Sequence, residues 1–234
     1  MLPNVWDAAS ARTVAALPAC RALATPSAGI AAMLGVEDDD MTLGPMIEVV
    51  ERICSAVDVP VTADLQDGYK DTAQTIAQAI EAGAVGANLE DKMGDADEHA
   101  ERVRVARAAG EAAGVPLVIN ARTDVFIRPD PDVDEAIRRG LLYLEAGADC
   151  VFAIGVGDPA HMRAMGEAFG GRLSVYAGAG FPALSALAEL GVCRVTFGPG
   201  LMRAAYGELQ RTAAGLLALG APPDSLAGPR NPAR

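Results

Sequence analysis

The chain has 234 residues, of which 51% are hydrophobic and 4% aromatic, and its formal net charge is −12. This length and apolar content suit one α/β domain with its own core and exclude a globally disordered chain. A strong negative charge without a stripe of Lys or Arg argues against nucleic acid as a partner. A small anionic substrate, held by a local Arg or a metal ion, is the partner that we expect instead.

Membrane and secretory signals are not visible in the sequence. No run of about 18 apolar residues could cross a bilayer, and the start of the chain lacks the basic and apolar regions of a signal peptide. The four cysteines form no CxxC pair and are expected to be reduced. These patterns predict a cytoplasmic protein with no membrane partner.

Short β-rich runs alternate with Ala-rich segments of helical periodicity along the chain. The helical segments end at glycines such as Gly83, Gly147 and Gly191, as helices before buried parallel strands commonly do. This alternation predicts a single closed (β/α)8 TIM barrel over residues 1–220, followed by a mobile Pro/Gly-rich tail at 221–234. The eight predicted strand runs are 2–7, 20–27, 59–67, 84–91, 116–124, 150–157, 173–180 and 193–200.

Polar side chains collect where the first five predicted strands end, whereas the last three end in Gly-rich, weakly polar turns. Carboxylates from separate strands supply the oxygen ligands that Mg²⁺ prefers, and an adjacent Arg can bind an anionic substrate group. Asp7 could equally be a helix N-cap, and Asp67 a turn residue. His99 is expected on an exposed helix face. The strand-end residues are Asp7, Ser27, Asp64, Gln66, Asp67, Glu90, Asp91, Arg122 and Asp124.

Five segments occur in an order typical of one superfamily: NVWDAASA, ALATPSAGIAAMLGVEDDD, VPVTADLQDGY, AGANLED and VINARTDVF. With them the chain resembles the phosphoenolpyruvate mutase/isocitrate lyase superfamily, and most of all its carboxyphosphoenolpyruvate phosphonomutase-like branch. The resemblance implies a Mg²⁺-dependent barrel. It also implies chemistry that makes or breaks a C–C or C–P bond beside a 2-oxo acid, through an enolate-like species.

The resemblance also implies roles for individual residues. It makes Asp64 the principal metal-associated carboxylate, with Glu90 reaching the metal through water and Asp38 supporting it. Arg122 corresponds to the arginine that binds the anionic end of the substrate. The segment that holds the substrate carboxylate corresponds to Ser27, Ala28 and Gly29.

Two departures from the superfamily pattern qualify these roles. Gln66 replaces a second metal-associated Asp, although its amide can still bind metal-held water. The segment 92–98 is short and lacks the catalytic Cys of isocitrate and methylisocitrate lyases, so those activities are not expected; Lys92 is its only candidate base.

The predicted function is therefore a Mg²⁺-dependent lyase or phosphonomutase-like enzyme, for example one that decarboxylates an oxaloacetate-like acid. In this prediction Asp64, Arg122 and Lys92 are catalytic. The alternative is a degenerate relative that binds a small acid without catalysis or acts as an interaction protein. The resemblance further implies a homo-oligomer, with the helix around Leu201–Leu219 exchanged between subunits.

Overall fold

Seven parallel strands form one sheet in the order β1 to β7 in this computed structural model, which describes residues 1–228. The strands are β1 (Leu23–Ala24), β2 (Val61–Asp64), β3 (Gly86–Glu90), β4 (Val118–Thr123), β5 (Cys150–Ala153), β6 (Leu173–Tyr176) and β7 (Val192–Thr196). The helices are α1 (Ala8–Ala15), α2 (Ser27–Leu34), α3 (Leu43–Cys54), α4 (Thr72–Glu81), α5 (Ala96–Ala112), α6 (Val133–Glu145), α7 (Pro159–Ala168) and α8 (Gly200–Leu217). Short 3₁₀ helices span Asp38–Asp40, Val125–Ile127, Leu184–Leu190 and Asp224–Ala227.

The predicted eighth strand, at 2–7, is not a strand in the structure, so the sheet is a curled seven-stranded half-barrel rather than a closed ring. The segment nevertheless lies between the two edge strands. It bridges Ala24 of β1 and donates the Leu2 amide to Val195 of β7. Pro3 has no N–H to continue a ladder, and the Asn4 side chain, not the backbone, accepts from Phe197. The prediction of eight strands was wrong at this point.

Aspartates begin most of the helices, which explains part of the acidic composition. Asp7 forms a capping box with Ser10 at the start of α1, so its N-cap interpretation is confirmed. Four further N-cap aspartates accept backbone hydrogen bonds at α4, α5, α6 and α7, namely Asp71, Asp95, Asp132 and Asp158. These carboxylates satisfy helix amides at the surface and lie outside the predicted site.

The helix ends follow the predicted pattern, whereas the position of His99 does not. The three predicted helix-ending glycines have positive φ angles of 97° at Gly83, 108° at Gly147 and 78° at Gly191. His99 is fully buried, not exposed as expected, and its ring packs edge-on against Tyr143 at 4.5 Å. Its position on the inner face of α5 reflects packing against α6, which a single-helix pattern does not reveal.

Helix α8 buries only Met202 and leaves large apolar side chains exposed, among them Leu209 at 64% and Leu217 at 84%. The exchange of this helix between subunits stays a prediction. The predicted tail 221–234 lies only partly in the structure, because 229–234 are outside the described residues. Within residues 1–228, no helix is both long and apolar enough to span a bilayer.

Candidate active site

A cavity of about 390 Å³ opens at the carboxyl ends of the strands, where side chains from β2, β3 and β4 meet those of β5, β6 and β7. This is the edge at which barrel enzymes place their active sites. Five of the predicted site residues line it: Ser27, Ala28, Asp38, Asp64 and Arg122. Of the residues that were predicted as strand ends, Ser27, Asp64 and Arg122 therefore line one cavity, whereas Gln66 and Asp67 line a neighbouring one.

Ser27 joins the two carboxylates of this cavity. Its backbone amide donates to Asp64 Oδ2 at 3.0 Å, and its hydroxyl donates to Asp38 Oδ2 at 3.2 Å. Because Ser27 is the first residue of α2, the positive end of that helix dipole also stabilises the negative charge of Asp64. Burial raises the pKa of Asp38, and the nearby charge of Asp64 raises it further.

The other two residues of the predicted substrate-binding segment differ from each other. The Ala28 amide, in the first turn of α2, has no hydrogen-bond partner among residues 1–228, and Ala28 lines the cavity. Gly29 is buried, and its amide donates to the Pro26 carbonyl. A Cβ at Gly29 would come within 2.7 Å of Pro26 Cγ, so this glycine serves the packing of α2.

Gln66 supports Asp38. Its Nε2 donates to the Asp38 carbonyl at 2.7 Å and to Asp38 Oδ1 at 3.1 Å. The Gln66 backbone has a φ of 51°, in the left-handed region that non-glycine residues seldom adopt. Gln66 lines a neighbouring cavity of about 630 Å³ together with Asp67 and Lys92. Its predicted role at a metal is not tested by this geometry.

Glu90, Arg122 and Asp124 form a largely buried ion-pair chain beside the cavity. Arg122 Nη1 pairs with Glu90 Oε2, and Arg122 Nε pairs with Asp124 Oδ1 at 2.6 Å. Burial raises the pKa of Glu90 to about 7; Arg122 opposes this rise, and the charge of Asp64 adds to it. The guanidinium of Arg122 thus already faces two carboxylates, and a third anion there needs additional positive charge.

Lys92 follows Glu90 by two residues and stands on its outer side. Its Nζ lies 3.7 Å from Glu90 Oε1 and 3.6 Å from Asp67 Oδ2. Asp67 also accepts the Tyr69 amide, as a turn residue does. Lys92 does not line the cavity that contains Asp64, and its catalytic role stays a prediction.

The donors around Asp64 fit a hydrated Mg²⁺ better than a fully protein-bound metal. In the part of the chain that the structure describes, no three His, Cys, Asp or Glu side chains form a complete metal site. Mg²⁺ typically takes one or two carboxylates and keeps several waters. Asp64 and Asp38 meet that need, since both carry oxygens at the same cavity and repel each other without a cation.

Several cavity residues were missed because the last strands were expected to end in weakly polar turns. Tyr176 of β6, Thr196 of β7 and Arg203 of α8 all line the cavity. Asn88 lines it as well, although it lies within β3 rather than at its end. The only sequence signal for Asn88 was a polar residue inside an otherwise apolar strand run.

Comparisons with known proteins show similarity to a family of lyases and mutases. The family described as phosphoenolpyruvate phosphomutase matches residues 1–217. The chain is 34% identical over 178 residues to an oxaloacetate decarboxylase of Pseudomonas aeruginosa, which covers 70% of this chain and 61% of that protein.

Two solved structures are similar over nearly the whole fold. One, from Burkholderia cenocepacia and described as a proposed phosphonomutase, is 42% identical with a TM-score of 0.84, covering 94% of this chain and 92% of that one. The other is an oxaloacetate acetylhydrolase in complex with its product oxalate. It is 25% identical with a TM-score of 0.87, covering 97% of this chain and 85% of that one.

Proposed function

Because the chain belongs to the phosphoenolpyruvate phosphomutase family, a family of lyases and mutases, we propose that it is a Mg²⁺-dependent lyase acting on a small 2-oxo dicarboxylic acid. The reaction class is cleavage of a C–C bond next to the 2-oxo group, as in the decarboxylation of oxaloacetate. The observation that carries the proposal is the cavity lined by Asp64, Asp38, Arg122 and Ala28, whose amide has no hydrogen-bond partner among residues 1–228.

The bond changes in this reaction are simple. The bond between C3 and the C4 carboxylate breaks, CO₂ leaves, and the electron pair remains on C3 as an enolate. One proton then adds to C3 to give the 2-oxo monocarboxylic acid. A divalent cation, when bound, stabilises the enolate oxygen as a Lewis acid.

The protein's own groups bind and orient the substrate. Asp64 and Asp38 would hold the cation, and Ser27 keeps the two carboxylates in place. The Ala28 amide can donate to the carboxylate that is retained, in the manner of anion binding at a helix N-terminus. Arg122, held by Glu90 and Asp124, lines the same cavity and can also donate to the substrate.

The test is turnover of a panel of 2-oxo and phosphono acids with Mg²⁺, following pyruvate and CO₂ for oxaloacetate. The wild type should accelerate the reaction above an enzyme-free Mg²⁺ control, and Asp64→Ala should lower the rate at least about 100-fold, as loss of charge stabilisation at a transition state does. Thermal stabilisation by these acids without turnover would instead favour a non-catalytic binding protein. Gln66, in place of a second metal-associated Asp, and the short 92–98 segment are the features that support this alternative. Failure of the wild type both to bind and to turn over any of them would refute the proposal.

A further inference from the structure

An arginine lies inside the half-barrel beneath the cavity. Arg194 of β7 is only 7% exposed, and its guanidinium reaches across the interior to β2 and β3. Within residues 1–228 it forms no ion pair, and its buried Nε has no hydrogen-bond partner. A buried cation without an ion-pair partner is costly, so a positive charge at this position indicates a role that a neutral side chain would not fill.

The contacts of Arg194 determine how Asn88 is oriented. Arg194 Nη2 donates to Asn88 Oδ1 at 3.3 Å, and Asn120 Nδ2 donates to the same oxygen at 2.7 Å. Asn120 is itself oriented, because the Cys150 thiol donates to its Oδ1 at 2.9 Å. Arginine has no acceptor atom, so the Asn88 atom that faces these donors must be the oxygen.

The other polar atom of the Asn88 side chain is therefore Nδ2, which carries two N–H donors. No residue of the described chain accepts a hydrogen bond from it, and Asn88 lines the cavity. In the parallel ladder Asn88 is paired with Asp64, so its amide group lies next to the carboxylate that we assign to the cation. A fixed donor at this point is placed to meet a substrate oxygen.

We propose that Asn88 is a further substrate-binding residue, whose Nδ2 donates to a carboxylate or enolate oxygen of the 2-oxo acid, and that Arg194 is its positioning residue. This inference rests on the proposed function. A donor that is already oriented needs no rearrangement when negative charge develops on the substrate, which is the condition for strong electrostatic stabilisation. The unpaired charge of Arg194 adds positive potential below the cavity, which Arg122 cannot supply because two carboxylates already face it.

The test is calorimetric binding of oxalate, a planar dianion that resembles the enolate of a 2-oxo acid, to the full chain with Mg²⁺ present. Asn88→Ala removes the donor without adding charge and should weaken oxalate binding about 10- to 100-fold, as expected for a hydrogen bond to a charged group. Asn88→Asp should bind still more weakly. Its new carboxylate faces Arg194, so its melting temperature should not fall below that of the wild type.

Arg194 is tested through the same affinity. Arg194→Met should weaken oxalate binding, and Arg194→Lys, which keeps one donor, should restore part of it. Thr62→Val is the matched control, since it removes the other contact of Arg194 Nη2, at 3.4 Å, and leaves Asn88 untouched. If Arg194→Met does not fold, the two Asn88 variants still decide the question.

The outcomes separate this inference from the proposed function. If the wild type binds no oxalate, the proposed function is in question. If the wild type binds oxalate and Asn88→Ala binds it equally well, Asn88 is not a substrate-binding residue, even if Asn88→Asp binds weakly through charge repulsion. Equal oxalate affinity for wild type, Arg194→Met and Thr62→Val would overturn the positioning role.

Discussion

Glu90 and Asp91 are adjacent carboxylates at the end of β3, yet they lie on opposite sides of the sheet. Glu90 is next to the cavity and pairs with Arg122, while Asp91 points into the helix layer and is 1% exposed. Asp91 accepts from the amides of Met93 and Asp124, and from the side chains of Arg139 and Tyr143, at 2.8 to 3.1 Å. The alternation of side chains along a strand produces this division.

The electrostatics of the two residues differ accordingly. Burial alone would raise the pKa of Asp91, but its hydrogen bonds, from Met93 and Tyr143 above all, hold the pKa below its usual range. Burial raises the pKa of Glu90 to about 7 despite Arg122. Asp91 thus stabilises the fold as an anion. The ionised form of Glu90, in contrast, is disfavoured by burial and lowers stability, as is common for groups at functional sites.

The largest expected loss of stability comes from Asp91→Asn, because among residues 1–228 it leaves the buried Arg139 with Glu135 as its one carboxylate partner. Loss of one partner of a buried pair costs about 3–5 kcal/mol, and urea denaturation should show a loss near the lower end of that range. Tyr143→Phe, which removes one hydrogen bond to Asp91, should cost about 1–2 kcal/mol as the control. A loss of less than about 1 kcal/mol in Asp91→Asn would contradict the claim that the Asp91 anion stabilises the fold.

A smaller effect is expected for Glu90→Gln in metal-free buffer, and it concerns how the free energy of unfolding depends on pH. The pKa of Glu90 is about 7 in the folded protein and close to 4.5 when unfolded, so the folded state holds the proton more tightly. Glu90 should therefore make the free energy of unfolding of the wild type fall as pH rises from about 4.5 to about 7, and Glu90→Gln should reduce this dependence. Asp38 and Asp124, whose pKa values are also raised, contribute the part that remains.

The pH series needs a carboxylate control, for which the exposed Glu111 on α5 is suited. Glu111→Gln should keep the pH dependence of the wild type, measured by denaturation at pH 5 and pH 8. If Glu90→Gln kept the same pH dependence of the free energy of unfolding as the wild type, the raised pKa of Glu90 would be contradicted.

Much of the site could be predicted from the sequence because parallel strands bring their carboxyl ends together. Asp64, Arg122 and Ser27 were found from strand boundaries and family motifs, and they line one cavity. Asn88 could not be found in this way, since its importance depends on contacts with Asn120 and Arg194 from two other strands.

The errors in fold prediction have in part the same origin. The run 2–7 has the composition of a strand, but Pro3 interrupts its ladder and Asn4 replaces a backbone acceptor with a side chain. His99 lies in a polar helix and is buried only because α6 packs over it through Tyr143. The contacts of Asn4 with Phe197 and of His99 with Tyr143 join distant segments, so the local pattern does not reveal them, whereas Pro3 is a local signal that the strand prediction overlooked.

The most direct test of the account is calorimetric titration of Mg²⁺ into the wild-type protein and Asp64→Ala at pH 8. The cavity at the ends of β2, β3 and β4 should bind about one Mg²⁺ per chain in the wild type, and Asp64→Ala should bind it at least about 10-fold more weakly, as loss of an anionic ligand implies. Equal Mg²⁺ affinity for the two proteins, or no Mg²⁺ binding by the wild type, would contradict the assignment of this cavity as a Mg²⁺-dependent active site.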